Sequence, residues 1–448
     1  MTQLKIKTKN FEYYHNPKTK GFFLINDNSG KRKELINKLL DDKIDLKNCF
    51  NENVSKNTIK NSFFNTYAIT FEVTERCNLQ CEYCACGKYY TRKNMDRTSN
   101  DLKTEHAIKF LKYFFDNAKS RTKRLNIGFY GGEPLLNMDI IKDIISYIKS
   151  EKLNYNISFS LTTNVLLLKK NIDFFVENKF RLYLSLDGDK DANSYRFDEK
   201  IFNRILDDII FIKNKYPDYY NEYINFNSVL HNKNSIDNVH KYFKEILGKI
   251  PILSNVSKNG LNTSYEAEFK EITNINPIEY NNCNKEIQDD YFTQFPEISG
   301  LDKFLRNTSG IIYENIDCLM NEPVFSDKIP TATCIPFSSK IFITAQGKMI
   351  PCEQISHEYS FYQITDDDIV IDFERIVEKY NKMLNRIKTK CISCFNSFNC
   401  SQCVFVMEWK ENTVCDKHLN PQKYANKISE YIDILENDER LLEKIVYE

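Results

Sequence analysis

"TERCNLQCEYCACG", residues 74–87, sets Cys77, Cys81, Cys84 and Cys86 within ten residues. In the spacing C-x3-C-x2-C, the thiolates of Cys77, Cys81 and Cys84 can each hold one iron of a cubic four-iron, four-sulfur cluster. The fourth iron then has no protein ligand, and an open metal position is where a small molecule binds and reacts. The competing chemistry is a tetrahedral zinc site with Cys86 as fourth ligand. Seven more cysteines lie between residues 334 and 415: Cys334, Cys352, Cys391, Cys394, Cys400, Cys403 and Cys415. "CISCFNSFNCSQC" reads C-x2-C-x5-C-x2-C, and paired CxxC units are also what zinc ribbons use. Only Cys49, Cys283 and Cys318 stand apart, as small buried apolar side chains do.

The compartment bears on this choice. "MTQLKIKTKNFEYY" lacks the apolar core of a signal peptide, and no apolar run is long enough to span a bilayer. A cytoplasmic, non-membrane protein is therefore expected. Thiols stay reduced there, so 14 cysteines point to metal or catalysis rather than to disulfides. Lys plus Arg and Asp plus Glu both number 62, which argues against a nucleic-acid partner, since such proteins carry a basic face.

The elements that must position the first cysteines come next. From about 66 to 260, strand-like runs alternate with amphipathic helices: "YAITFEVT" (67–74), "LNIGFY" (125–130), "NISFSLTT" (156–163), "RLYLSLD" (181–187), "YINFNSVL" (223–230) and "IPILSNV" (250–256). Repeated β-then-α units predict a parallel sheet with the site on the loops after its strands. The fold class is therefore α/β, a partial (β/α)6 TIM-like barrel. A small α+β module over residues 1–65 precedes it: a hairpin in "FEYYHNPKTKGFFLIN", a Ser-capped helix from "SGKRKELINKLLDD" and a polar linker in "NENVSKNTIKNS". A bridging, substrate-side region (261–330), a cysteine-rich domain with little regular structure (331–425) and a C-terminal helix (426–448) follow.

Four strand ends carry polar groups. Cys77, Cys81 and Cys84 follow the first. "YGGEP" follows the second, where Gly131 and Gly132 would let a ligand approach the backbone and Glu133 can accept hydrogen bonds from an amino group. Thr162 and Asn164 of "TTN" follow the third and suit a ribose. Ser185 of "SLDG" lies at the fourth, and Arg196 or Arg204 beyond it would hold a carboxylate bidentately. Such loops describe a pocket for an amino acid joined to a nucleoside.

With Tyr83 before the last cysteine and "GGEP" downstream, residues 66–260 resemble the radical S-adenosylmethionine (SAM) enzymes. The resemblance implies that Cys77, Cys81 and Cys84 hold a [4Fe–4S] cluster whose unique iron is chelated by the methionyl amine and carboxylate. Glu133 would contact the amino group, Tyr83 would lie near the adenine, and Ser185 with Arg196 or Arg204 would bind the carboxylate or ribose. Reductive cleavage would then give methionine and a 5′-deoxyadenosyl radical that abstracts hydrogen from carbon. Cys86 lies outside the motif and reads as structural.

The later cysteines resemble the SPASM extension of these enzymes, which implies two auxiliary [4Fe–4S] clusters, three in all. Cys391, Cys394, Cys400 and Cys415 would hold the outer one. Cys334, Cys352 and Cys403 would hold the inner one, with Cys318 or Cys283 as fourth ligand or with an open iron. The family commonly has three residues between the last two cysteines of the central run, where Cys400 and Cys403 have two between them. Enzymes of this kind mostly modify peptides or proteins. The expected function is thus a peptide maturase forming a thioether or carbon–carbon crosslink in a ribosomally made precursor. Its leader would bind the N-terminal module as an added strand, and a ferredoxin or flavodoxin would supply electrons. An anaerobic sulfatase-maturing enzyme is the alternative reaction. A non-catalytic iron–sulfur electron carrier is the third reading.

Overall fold

A computed structural model describes residues 4–17, 21–25, 53–90, 100–118, 124–151, 153, 155–258, 260–275, 279–309, 333–407, 415, 417–438 and 440–447. They form two compact units, one of Met1–Val54, Pro277–Thr333 and Tyr380–Glu448, the other of Ser55–Asn276 and Cys334–Lys379.

The first unit opens with an antiparallel sheet of β1 (Leu4–Lys7), β2 (Glu12–Asn16) and β3 (Gly21–Leu24), in the order β1-β2-β3. The expected hairpin is β2–β3, with Asn16 opposite Gly21. The helix expected from residue 29 lies outside the described residues. The sheet is pinned to the helix Pro421–Asn437: Thr8 Oγ1 donates to Glu436 Oε1 (2.8 Å), and His15 Nε2 lies 3.2 Å from the Tyr424 hydroxyl. Phe22 meets Phe304 of the helix Pro296–Asn307 edge-on. The expected C-terminal helix is two, Pro421–Asn437 and Arg440–Tyr447.

The second unit starts with α1 (Lys56–Phe64), where a linker was expected. Ser55 caps it by accepting from Thr58 N (3.1 Å). Ile59 and Phe63, four residues apart, are fully buried, so a one-sided apolar stripe is enough to make the polar segment helical. Next come β4 (Ala68–Thr74), α2 (Thr104–Asn117), β5 (Arg124–Gly131), α3 (Met138–Ser150), β6 (Asn156–Thr163), α4 (Leu168–Glu177), β7 (Arg181–Ser185), α5 (Glu199–Lys215), β8 (Ile224–Leu230), α6 (Ile236–Tyr242) and β9 (Ile252–Asn255). Each strand pairs in parallel with the next, as β–α alternation predicts. The α3 helix buries Ile140, Ile141, Ile144, Ile145 and Ile148. Ile69, Phe71 and Val73 share one face of β4 and are wholly buried, and Thr70, Glu72 and Thr74 on the other face are buried too, so the strand is covered on both sides.

The cysteine-rich segment is more regular than expected. β10 (Ile341–Ile343) pairs in parallel with β4, placing Ile341 opposite Ile69. β11 (Lys348–Ile350) folds back antiparallel on β10, and β12 (Tyr362–Gln363) pairs with β11. The sheet is thus nine-stranded, in the order β12-β11-β10-β4-β5-β6-β7-β8-β9. A helix over Phe373–Asn385 follows. The strands were missed because β10 and β11 have three residues each and are buried throughout apart from the half-exposed Lys348, so no alternation announces them.

Candidate active site

β4 ends at Thr74, and the chain enters the cysteine loop directly. The loop closes on itself: Cys84 N donates to Cys81 O (3.1 Å) and Gly87 N to Cys84 O (2.7 Å). Its four cysteines are half-buried and none forms a disulfide. Cys77, Cys81 and Cys84 line a cavity of about 200 Å3 together with Tyr83, Gly131, Gly132, Glu133, Thr162, Asn164, Ser185 and Arg196. Burial pushes the Cys81 thiol up to about 11; Arg196 opposes this, while Cys84 and Cys77 add to it, so the three sulfurs act on one another. Among the described residues, no three cysteine sulfurs lie within 4.8 Å of one another. A single zinc ion, with Zn–S near 2.3 Å, would draw its thiolates to about 3.8 Å apart.

Gly131 and Gly132 line the cavity and also admit a close approach of backbone. A Cβ on Gly131 would stand 2.3 Å from Thr74 O, and one on Gly132 would stand 2.2 Å from Arg76 O. Gly131 also has φ of 152°, open to glycine but not to other residues. The backbone they admit is the start of the cysteine loop. Gly132 N donates to Thr74 O (2.9 Å) and Glu133 N to Arg76 O (2.8 Å).

Glu133 is 1% exposed. Its Oε1 accepts from Leu135 N (3.1 Å) and Thr163 Oγ1 (2.7 Å), and its Oε2 from Asn164 N (2.7 Å). Burial still pushes it up to about 7 against those three donors. A buried carboxylate on a cavity wall that has hydrogen bonds but, among the described residues, no ion pair is a seat for a cation. The thiols and this carboxylate therefore fit a cluster with an aminoacyl ligand.

Asn164 lines the cavity, with its side chain already engaged on one donor and one acceptor. Its Nδ2 donates to Asn78 Oδ1 (2.7 Å) and its Oδ1 accepts from Leu166 N (3.2 Å), tying this loop to the cysteine loop. Arg204 does not line the cavity; its Nη2 reaches Leu166 O (3.3 Å). Arg196 does line it, but its Nε and Nη2 bind Asp187 Oδ2 (2.8 Å) and Oδ1 (3.0 Å). Asp187 is fully buried and also accepts from the Tyr83 hydroxyl and from Val229 N (2.9 Å). Burial alone would raise its pKa; the Arg196 charge, His231, and the Arg196 and Tyr83 hydrogen bonds bring it down to about 2. His231, also buried, turns Nε2 to within 3.6 Å of Asp187 Oδ2. Lys233 N donates to its Nδ1 (3.2 Å), which assigns the ring proton to Nε2. Tyr83 is thus held by Asp187 beneath the Arg196 guanidinium, 5.3 Å from the ring centroid.

Asp187 was overlooked, although an acid ending the apolar strand run "LYLSLDG" is a signal. Glu72, Tyr130, Glu353 and Gln354 also line the cavity unannounced. β10 and β11 position part of this wall: Ala345 N donates to Glu72 Oε2 (3.0 Å), and Lys340 pairs with Glu353 (2.9 Å).

The later cysteines divide between the units. In the first, burial pushes Cys391 up to about 12, and Cys400, Cys394 and Cys415 all push it further. Those are the four sulfurs expected around one cluster. Cys394 Sγ accepts from Leu419 N (3.4 Å) and Cys400 Sγ from Gln402 N (3.3 Å). Cys403 and Cys283, both half-buried, are in the same unit. Exposed Cys334 and half-buried Cys352 are in the second, where Cys352 Sγ accepts from Gln354 N (3.3 Å). Cys318 lies outside the described residues.

Residues 71–246 match the model of the Radical SAM superfamily. The chain is 29% identical over 208 residues to the radical SAM cyclopropyl synthase TigE of Paramaledivibacter caminithermalis, covering 43% of this chain and 41% of that protein. It is 32% identical over 184 residues to the cysteine-type anaerobic sulfatase-maturating enzyme of Clostridium novyi, covering 38% and 45%. It thus spans less than half the length of these relatives. The fold matches the solved structure of native anSMEcpe with bound AdoMet and Cp18Cys peptide at a TM-score of 0.55 and 19% identity, covering 85% of this chain and 99% of that one. The cysteine loop at the end of β4, the buried carboxylate facing it and the matched residues around both make residues 71–246 a domain of the Radical SAM superfamily.

Proposed function

We propose that the protein is a peptide maturase that uses SAM to install a thioether or carbon–carbon crosslink. The observation that carries the SAM chemistry is the seat for a cation, Glu133, on the same cavity wall as Cys77, Cys81 and Cys84, and the peptide substrate is supported by the likeness to anSMEcpe, solved with bound Cp18Cys peptide. Cluster-bound SAM supplies a 5′-deoxyadenosyl radical. The chain's residues bind and orient it: Glu133 takes the methionyl ammonium, and Arg196, fixed by Asp187, presents its remaining N–H groups to the carboxylate. Thr162 and Ser185 line the nucleoside side. The cavity walls keep water from the radical.

The seven cysteines from Cys334 to Cys415 would hold auxiliary clusters, which would supply an electron acceptor beside the substrate. The sheet β1-β2-β3 has two end strands, β1 and β3, of the kind to which an extended leader adds.

The 32% identity to a sulfatase-maturating enzyme favours a second reading, oxidation of a sulfatase cysteine to formylglycine. Anaerobic co-expression with candidate peptides from neighbouring genes, followed by mass spectrometry, separates the two. A crosslink removes two hydrogens and keeps the sulfur, whereas formylglycine replaces the thiol with an aldehyde. Failure of the reconstituted protein to cleave SAM would overturn both readings.

A further inference from the structure

Cys86 has no part in the three-cysteine motif, yet the fold does not carry it away from that motif. Gly87 N donates to Cys84 O (2.7 Å) and Tyr90 N to Gly87 O (3.2 Å). These are successive tight turns, with Cys86 inside the first, so the chain doubles back over the loop. A Cβ on Gly87 would stand 3.0 Å from Cys84 O, so a glycine lets the turn close. A second, more open cavity of about 510 Å3 is lined by all four sulfur residues, Cys77, Cys81, Cys84 and Cys86. Cys86 also lines the cavity that holds Glu133 and Tyr130. It therefore borders both the space around the three thiols and the space reserved for the amino acid.

We propose that Cys86 is a replaceable fourth ligand, closing the open iron when SAM is absent and yielding it when SAM binds. This rests on the reading that Cys77, Cys81 and Cys84 hold a cluster. On closure the Cys86 thiol loses its proton to solvent and an iron–sulfur bond forms. On SAM binding that bond breaks, the methionyl amine and carboxylate take the position, and the thiolate regains a proton. No electron is transferred. Such a cap shields the iron most readily lost to oxidation, and it weakens SAM binding in proportion to its occupancy. A thiolate capping about nine molecules in ten lowers apparent affinity about tenfold.

The test compares the reconstituted full chain with its Cys86→Ala and Cys86→Ser variants. Without SAM, mild ferricyanide oxidation should leave the wild type largely intact. Both variants should show more of the electron paramagnetic resonance signal of a three-iron cluster. Both should also bind SAM more tightly, by about tenfold at the occupancy above. An unchanged three-iron signal, or unchanged or weaker SAM binding, overturns the proposal. Cys86→Ser preserves size and decides the matter if the alanine variant loads iron poorly. If Cys77, Cys81 and Cys84 hold no cluster, mutating all three removes no iron from the wild type. If only the cap is wrong, the triple variant loses about four irons while the Cys86 variants lose none.

Discussion

Burial pushes the Glu133 carboxyl up to about 7, so its ionisation falls within the neutral range in the unliganded protein. Only the ionised form attracts the methionyl ammonium, so SAM affinity should fall as pH drops from about 8 to about 6 and level off above that. Calorimetry across the range tests this, and Glu133→Gln should flatten the profile while weakening binding. Loss of a charge-assisted hydrogen bond costs roughly 1.5–3 kcal/mol, on the order of ten- to a hundredfold. Stability has the opposite slope: the folded pKa is raised above 4.5, so the unliganded protein is favoured below about 4.5 and loses that share as pH rises through about 7. Asp187→Asn leaves Arg196 buried without its counter-charge, which costs roughly 3–5 kcal/mol. It should lower the unfolding temperature and weaken SAM binding, and a melting curve unchanged from wild type would contradict the bracing role. Glu133 was legible because its spacing in "GGEP" is local. Asp187 was not, because its partners come from residues 83, 196, 229 and 231, and only the fold brings those together.

The cysteine loop and the strand-end turn after β5 are two elements locked by main-chain hydrogen bonds. Gly132→Ala would drive a methyl into Arg76 O at 2.2 Å, so one turn must move. The loop should then load iron poorly while the sheet, held by its own ladder, survives. Iron analysis beside circular dichroism checks this, and full iron content would show that the turn yields at little cost. Strands β4 to β8 were readable because each is four or more residues long and bounded by helical periodicity. α1 was not, because its polar face hides two well-spaced apolar side chains, Ile59 and Phe63.

Across the molecule, Cys391 and Cys394 belong to a different unit from Cys77, Cys81 and Cys84. Replacing both with alanine should remove about four irons of an expected total of about twelve. SAM cleavage without substrate should persist and peptide modification should collapse. Normal modification with about eight irons would show the outer site to be dispensable. Metal ligation can supply much of a small domain's stability, so unfolding must be followed alongside. The sequence identified the α/β class through repeated local units, but the pairing of residue 341 with residue 69 left no local trace. That pairing has a consequence for synthesis. As the chain leaves the ribosome, β4 and its attached thiols emerge early, and one side of β4 stays bare until about 270 further residues have followed. Bare strand edges invite pairing with other chains. A truncated chain ending at Asn276 should therefore be recovered mainly in aggregates, although it contains every residue of the matched domain. Its recovery as a soluble monomer would contradict this. On this account stable iron insertion should follow the pairing of β10 with β4 in the nascent chain.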